Sequence, residues 1–389
     1  MPRTSDAAFN SGVRSLDSQR NLLVVTCLIL ALLVLGLLTP PAHAAVAGRY
    51  LYVVDKAVGQ VEGFSIDRIK GTLLSLGACA LRPVGVSPDS EAVDPTGSFL
   101  YVSDFVGNQI FGFAITPATG CLAPIGVWPT IGTGPMSAHV TTDGRYLYVS
   151  ETLNATAAVE GFQVGAGGIL APVPLPNPFV YGVNPGGLAF DSVGPYLFAA
   201  DDSAPVGPIT PLEYKVGGTL FKAPGCPGPC PTVTPNPVEM SVSPAGQDML
   251  VLSGGGITLD SYAINRLTGA LTWVNTLPLA AGPHSVYADP FGRFGYVSNN
   301  VASTVQPYTI TTGVVAVNGA AVALPAGSAP AGLKVDEWGK FLYIALPGTS
   351  QVAGYTINAT TGRLVKILGS PWNTFVPAAG PVSVHGITP

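Results

Sequence analysis

Charge is scarce in this 389-residue chain: Asp, Glu, Lys and Arg make up 10% of it, and Lys or Arg nowhere form a run. With a net charge of −5 it offers no basic face to a phosphate backbone, which excludes nucleic acid as a partner. The usual catalytic signatures are missing too. There is no Gly-x-Ser-x-Gly elbow, no His-Glu-x-x-His helix, no phosphate loop and no calcium loop of alternating acids. No metal and no cofactor are therefore expected. Cysteine is limited to five residues, so disulfides can staple loops but cannot replace a hydrophobic core.

Glycine (48) and proline (37) are plentiful, and they recur in order. One unit reads Asp94-Pro-Thr-Gly97-Ser-Phe-Leu-Tyr101-Val-Ser-Asp104, and Asp289-Pro-Phe-Gly292-Arg-Phe-Gly-Tyr296-Val-Ser-Asn299 is its counterpart. Turn glycines stand at 48, 97, 144, 194, 246, 292 and 339, between 46 and 52 residues apart. Periods of this length mean propellers or solenoids. Nine residues before the glycine comes Pro88, Pro135, Pro185, Pro237, Pro283 or Pro330, suited to the first residue of a strand, where no ladder donor is needed. An aromatic follows in a third strand: Phe64, Phe113, Phe162, Tyr214, Tyr262, Tyr308 and Tyr355. Four short antiparallel strands per repeat predict an all-β, seven-bladed propeller. The terminal Gly380-Pro381-Val-Ser-Val-His-Gly-Ile387 matches Gly282-Pro283-His-Ser-Val-Tyr-Ala-Asp289. The C-terminal strand is thus expected to complete the first blade and close the ring.

Residues 22–38 are an apolar run preceded by Arg3, Arg14 and Arg20 and followed by Ala42-His-Ala44. This predicts a secretory signal peptide over 1–44 and a propeller over 45–389, the alternative being an uncleaved anchor. Cys27 lies inside the run without the small residues that a lipid anchor would need. In an oxidising compartment Cys226 and Cys230 are the disulfide candidates, stapling the loop between blades four and five. Cys79 follows the outer strand of blade one and Cys121 opens that of blade two; placed at opposite ends of the ring, they are not expected to pair. Asp104, Asp201 and Asp202 at strand ends are expected to be solvated turn carboxylates. The proline-rich segments 171–178 and 203–211 read as loop insertions.

The proline-to-glycine inner strand, then Gly-Arg-Tyr-Leu-Tyr-Val-Ser and an aromatic strand, resembles the lactonase-type propellers, the 6-phosphogluconolactonase-like and YVTN-repeat proteins. The resemblance covers residues 48–389. It implies a central funnel where inner-strand tops carry His, Arg and acidic residues. Here the position after the proline reads Asp89, Met136, Gly186, Val238, His284, Ala331 and Val382, without an arginine to clamp a phosphate. Five residues before the turn glycine stand Ala92, His139, Ala189, Ser241, Tyr287, Lys334 and, by homology, His385. One position earlier, Glu91 occupies a slot that is apolar in the other six copies.

The ionisable groups therefore cluster on blades six, seven, one, two and three, with Glu239 the nearest contribution from blade five. The first expectation is an exported, monomeric, non-catalytic scaffold that binds an extracellular protein or small molecule and leaves the membrane once its leader is removed. The alternative is a lactone or ester hydrolase using His284, His385, Glu91 and Lys334, with Asp89, His139, Glu239 and Tyr287 binding the ligand. A histidine beside a carboxylate would activate water, and Lys334 would steady the oxyanion.

Overall fold

The computed structural model describes residues 49–203, 207–226, 235–243, 247–254, 257–374 and 382–388, with the backbone alone for 382–385. The apolar run 22–38, the cleavage site expected at Ala44 and Cys230 lie outside the described residues. Among those described, no helix is long and apolar enough to cross a membrane.

The described strands form seven antiparallel sheets. Blade two shows the pattern: inner strand Pro88–Val93, then Phe99–Asp104, Gln109–Ile115 and outer strand Leu122–Pro129. Blades four, five and six likewise open on their proline, at Pro185, Pro237 and Pro283. Blade one takes its inner strand from the far end of the chain, because Val382–Ile387 pairs antiparallel with Tyr50–Asp55. The ring is closed as expected, which hides two edges that would otherwise pair with other chains. A buried ion pair between Arg49 of blade one and Asp336 of blade seven (3.2 Å) spans the same junction.

The repeated residues have repeated tasks. Gly97, Gly144, Gly292 and Gly339 adopt φ of +63° to +71°, a left-handed turn that costs glycine no steric strain. Asp94, Asp289 and Asp336 accept the two backbone N–H groups that follow each turn. The tyrosine of the second strand reaches into the next blade and donates its hydroxyl to a glycine carbonyl there. Tyr52 bonds Gly120, Tyr101 bonds Gly168, Tyr148 bonds Gly218, Tyr296 bonds Gly362 and Tyr343 bonds Gly71, at 2.6–3.0 Å. Between blades, apolar faces interdigitate; Leu51, Val53 and Phe64 of blade one, for example, pack on Phe341, Tyr343 and Ala345 of blade seven.

Two expectations fail here. Cys79 and Cys121 are disulfide-bonded, with Cα atoms 4.9 Å apart. The reason is the same inter-blade lean: the turn at Pro117–Gly120 of blade two lies over blade one, where Tyr50 and Tyr52 bond its carbonyls, and Cys121 is carried to the short 3-10 turn Gly77–Cys79. Asp104 and Asp201 are buried rather than solvated. Each accepts two N–H groups from the loop leading into an inner strand, Val86 and Ser87 for Asp104, Val183 and Asn184 for Asp201. Cys226 is half of a disulfide.

Candidate active site in the central channel

The inner strands surround a cavity of about 620 Å³ whose walls include Asp89, Glu91, His139, Glu239, His284, Tyr287 and Lys334. Seven of the eight residues singled out above thus share one cavity. The eighth, His385, lies outside the described side chains, but its backbone bears on the expectation. Gly386 stands opposite Tyr52 while Ser383 stands opposite Val54, with a register shift between them. In blade six Tyr287 faces the corresponding Tyr296, so His385 is displaced by one residue from the slot that the repeat assigns to it. Glu91 occupies the space at that bulge: a Cβ on Gly386 would come within 3.3 Å of its Cγ.

Bulges also explain how Asp89 and His284 enter the channel. Pro88 pairs with Asp104 and Ser90 with Ser103, leaving Asp89 as the extra residue; Pro283 pairs with Asn299 and Ser285 with Ser298, leaving His284. A bulge of this kind re-aims one side chain out of the ladder and is common beside active sites. Val238 is the equivalent residue in blade five.

At the Asp89 end of the cavity, the Asp89 carboxylate forms an ion pair with Lys56, and both remain partly open to solvent. Spacing within the inner strands passes over Lys56, which follows the second strand of blade one. It could have been found there, because that slot reads Lys56, Phe105, Thr152, Asp202, Gly254, Asn300 and Pro347 and holds one cation. His284 exposes its ring to the channel although protein surrounds it. The resulting desolvation holds its pKa below the ordinary 6.5, and the charge of Asp89 partly opposes that shift. At neutral pH it is a neutral, water-accessible base. Deeper in, Lys334 Nζ lies 4.9 Å from the centre of the Tyr287 ring. His139 packs against Phe190, 5.7 Å between rings, and burial with the nearby Lys334 charge holds its pKa at about 4.

Glu239 has a structural partner set as well. Ser90 Oγ accepts the Ala138 N–H of the next blade, and Ser137 Oγ accepts that of Leu188. Glu239 fills the same slot in blade five, bonded to the Val286 N–H and to Ser285 Oγ at 2.9 Å. Burial pushes its carboxyl up to about 8, so it is protonated at neutral pH. A pair of carboxyls lies on the second and third strands of blade three. Glu151 and Glu160 are diagonal neighbours, buried and hydrogen-bonded to each other. They also accept the N–H groups of Gly132 (3.0 Å) and Ile131 (2.9 Å). Desolvation pushes both pKa values well above the carboxylate range, and the charge of Glu160 adds to the shift of Glu151. Among the described residues, no three His, Cys, Asp or Glu side chains converge as a metal ion would need.

A model of the lactonase seven-bladed propellers matches residues 39–169 and 226–377. The chain belongs to the lactonase propeller family. This lactonase-family chain also superposes on solved structures of similar architecture. The periplasmic gluconolactonase of Pseudomonas aeruginosa aligns with a TM-score of 0.69 at 19% identity, covering 87% of this chain and 99% of that one. A protein of Bacteroides fragilis described as a candidate 6-phosphogluconolactonase aligns with a TM-score of 0.70 at 17% identity, covering 90% and 100%. At such identities the likeness is one of fold. No curated protein matches the chain. Unlike the arginine-bearing funnel that the resemblance implied, the described walls of this lactonase-family channel draw their cationic side chains from Lys56 and Lys334.

Proposed function

We propose that the protein hydrolyses a carboxylic ester closed in a ring, a lactone, in the central channel. The observation that carries this reading is His284, a histidine kept neutral by its surroundings, open to channel water and within the field of Asp89. Membership of the lactonase family and the fold shared with a gluconolactonase favour it over a non-catalytic scaffold, the first expectation from sequence.

In this mechanism the His284 imidazole takes a proton from water as the water oxygen bonds to the lactone carbonyl carbon. Asp89 steadies the imidazolium that forms. Lys334 offers a positive charge to the tetrahedral oxyanion, a stabilisation that a desolvated site strengthens. Collapse breaks the ring C–O bond, and the departing alkoxide takes the proton back from His284, leaving a hydroxy acid. The absence of arginine among the described channel residues favours an unphosphorylated substrate.

The test is hydrolysis of D-glucono-δ-lactone and simple aliphatic lactones, measured against the buffer rate. General-base catalysis contributes roughly 10²–10⁴-fold, so His284→Ala should lower kcat by that order at unchanged thermal stability. A wild-type rate equal to buffer, or a fully active His284→Ala variant, would refute the proposal.

A further inference from the structure

The channel has two unlike halves. Blades six, seven, one and two bring His284, Tyr287, Lys334, Lys56, Asp89 and Glu91 to it. Blades three to five bring Met136, Val140, Phe190, Val238 and Val242. The polar groups within that second half are already engaged. Ser137 Oγ accepts the Leu188 N–H, Ser241 Oγ accepts the Ala288 N–H, and Glu239 is bonded to Ser285 and Val286. His139 lies against the Phe190 ring and is hydrogen-bonded to the Leu188 backbone. This wall consequently carries little that could replace the water around a sugar hydroxyl, and each hydroxyl pressed against it loses hydrogen bonds that it makes in solution. The cavity of about 620 Å³ is also of the size that encloses a drug-sized ligand, well beyond a bare six-membered lactone.

We infer that the substrate carries a hydrocarbon substituent: the lactone ring meets the polar arc, and the chain lies along the wall of blades three to five. The ring assignment rests on the hydrolase reading above; the chain assignment rests on the channel lining alone. Val238 is central to it: it is the bulge residue of blade five as His284 is of blade six, and it lines the channel while packing on the apolar core between blades five and six. Base and apolar anchor are thus the same residue of two adjacent repeats.

Two measurements on the full chain separate the inferences. The first compares kcat/KM for δ-decanolactone and D-glucono-δ-lactone. The second compares the affinities of two lactams, six-membered and inert to hydrolysis, one bare and one bearing the pentyl chain of δ-decanolactone. Partial burial of five carbons predicts about 30-fold tighter binding of the pentyl lactam and a preference of about the same size for the decanolactone. Val238→Asp should reduce both ratios to within about threefold, and the isosteric Val238→Thr by about fivefold if the aspartate variant folds poorly. A pentyl lactam that binds no tighter than the bare one overturns the apolar subsite even if gluconolactone is hydrolysed. Tight pentyl-lactam binding without any hydrolysis supports the subsite and removes the hydrolase reading. Equal or better turnover of gluconolactone, or a Val238→Thr variant with wild-type ratios, also overturns the inference.

Discussion

Replacing Glu151 by glutamine should make the protein's stability less dependent on pH. Glu151 and Glu160 are buried together and bonded to each other, so the folded state holds a proton there that the unfolded chain releases near pH 4.5. Both carboxyl pKa values are raised on folding. The folded state therefore binds more protons than the unfolded one above pH 4.5, and stability falls as pH rises toward the folded values. A tenfold difference in proton affinity between the folded and unfolded states corresponds to about 1.4 kcal/mol. Allowing for relaxation around the pair, a loss of about 2 kcal/mol between pH 5 and pH 8 is expected, or about 3 °C in Tm for a propeller of this size. In Glu151→Gln the amide oxygen can still accept from Gly132 and the amide nitrogen can donate to Glu160, so the proton of Glu151 no longer titrates while Glu160, raised by its own burial, titrates in both proteins. Its Tm relative to wild type should rise by about 3 °C on going from pH 5 to pH 8, read by scanning calorimetry in matched ionic strength. A difference that stays constant across that range would refute the reasoning. Glu239 shifts in the same direction and remains in both proteins, so it cancels in the comparison.

Three further outcomes follow from particular contacts. Because Asp89 raises the His284 pKa against the larger effect of desolvation, Asp89→Asn should move the acid limb of the kcat/KM profile to lower pH as well as lowering the plateau. Tyr343→Phe deletes the hydroxyl bonded to Gly71 at 2.8 Å across the closing junction, and should cost about 1–2 kcal/mol by denaturant unfolding. Reducing the Cys79–Cys121 bond, which closes a loop of 42 residues, should cost about 3–4 kcal/mol; an unchanged Cm with thiol present would contradict it.

The repeat was legible because each blade solves the same problem with the same residues: a proline that opens an inner strand, a glycine with positive φ, an aromatic in the third strand. Ring closure followed from a terminal segment that matched one strand and nothing after it. What escaped was lateral. The disulfide and the burial of Asp104 and Asp201 depend on how a turn or loop leans on a neighbouring element, which spacing within one repeat does not encode, and the Glu151–Glu160 pair depends on the hairpin register inside blade three. The bulges escaped for a related reason. An extra residue in a ladder leaves the sequence alignment of repeats intact, yet it decides that Asp89 and His284 leave the sheet and that His385 loses the slot that homology assigned to it. Lys56 was passed over because it stands beyond a strand end, in a loop whose direction the pattern of alternating side chains does not give.

The hydroxyl clasps from tyrosine to the next blade all run in one sense around the ring, and their distribution is uneven. Five of seven junctions have one; where blade four should reach blade five stands Phe198, and where blade five should reach blade six stands Leu250. Blade five lacks that directional clasp on both sides and is held instead by apolar packing, by Arg266 on Asp191 of blade four (3.3 Å) and by Asn275 on the Val315 backbone of blade six (2.9 Å). Such a sector opens before the others when a cooperative ring fluctuates, so amides of Asp248–Ser253 should exchange with solvent deuterium ahead of their counterparts in Tyr146–Leu153. It is also the sector that brings Val238 to the channel, so a bound chain would tighten the part of the bracelet that lacks the tyrosine clasps.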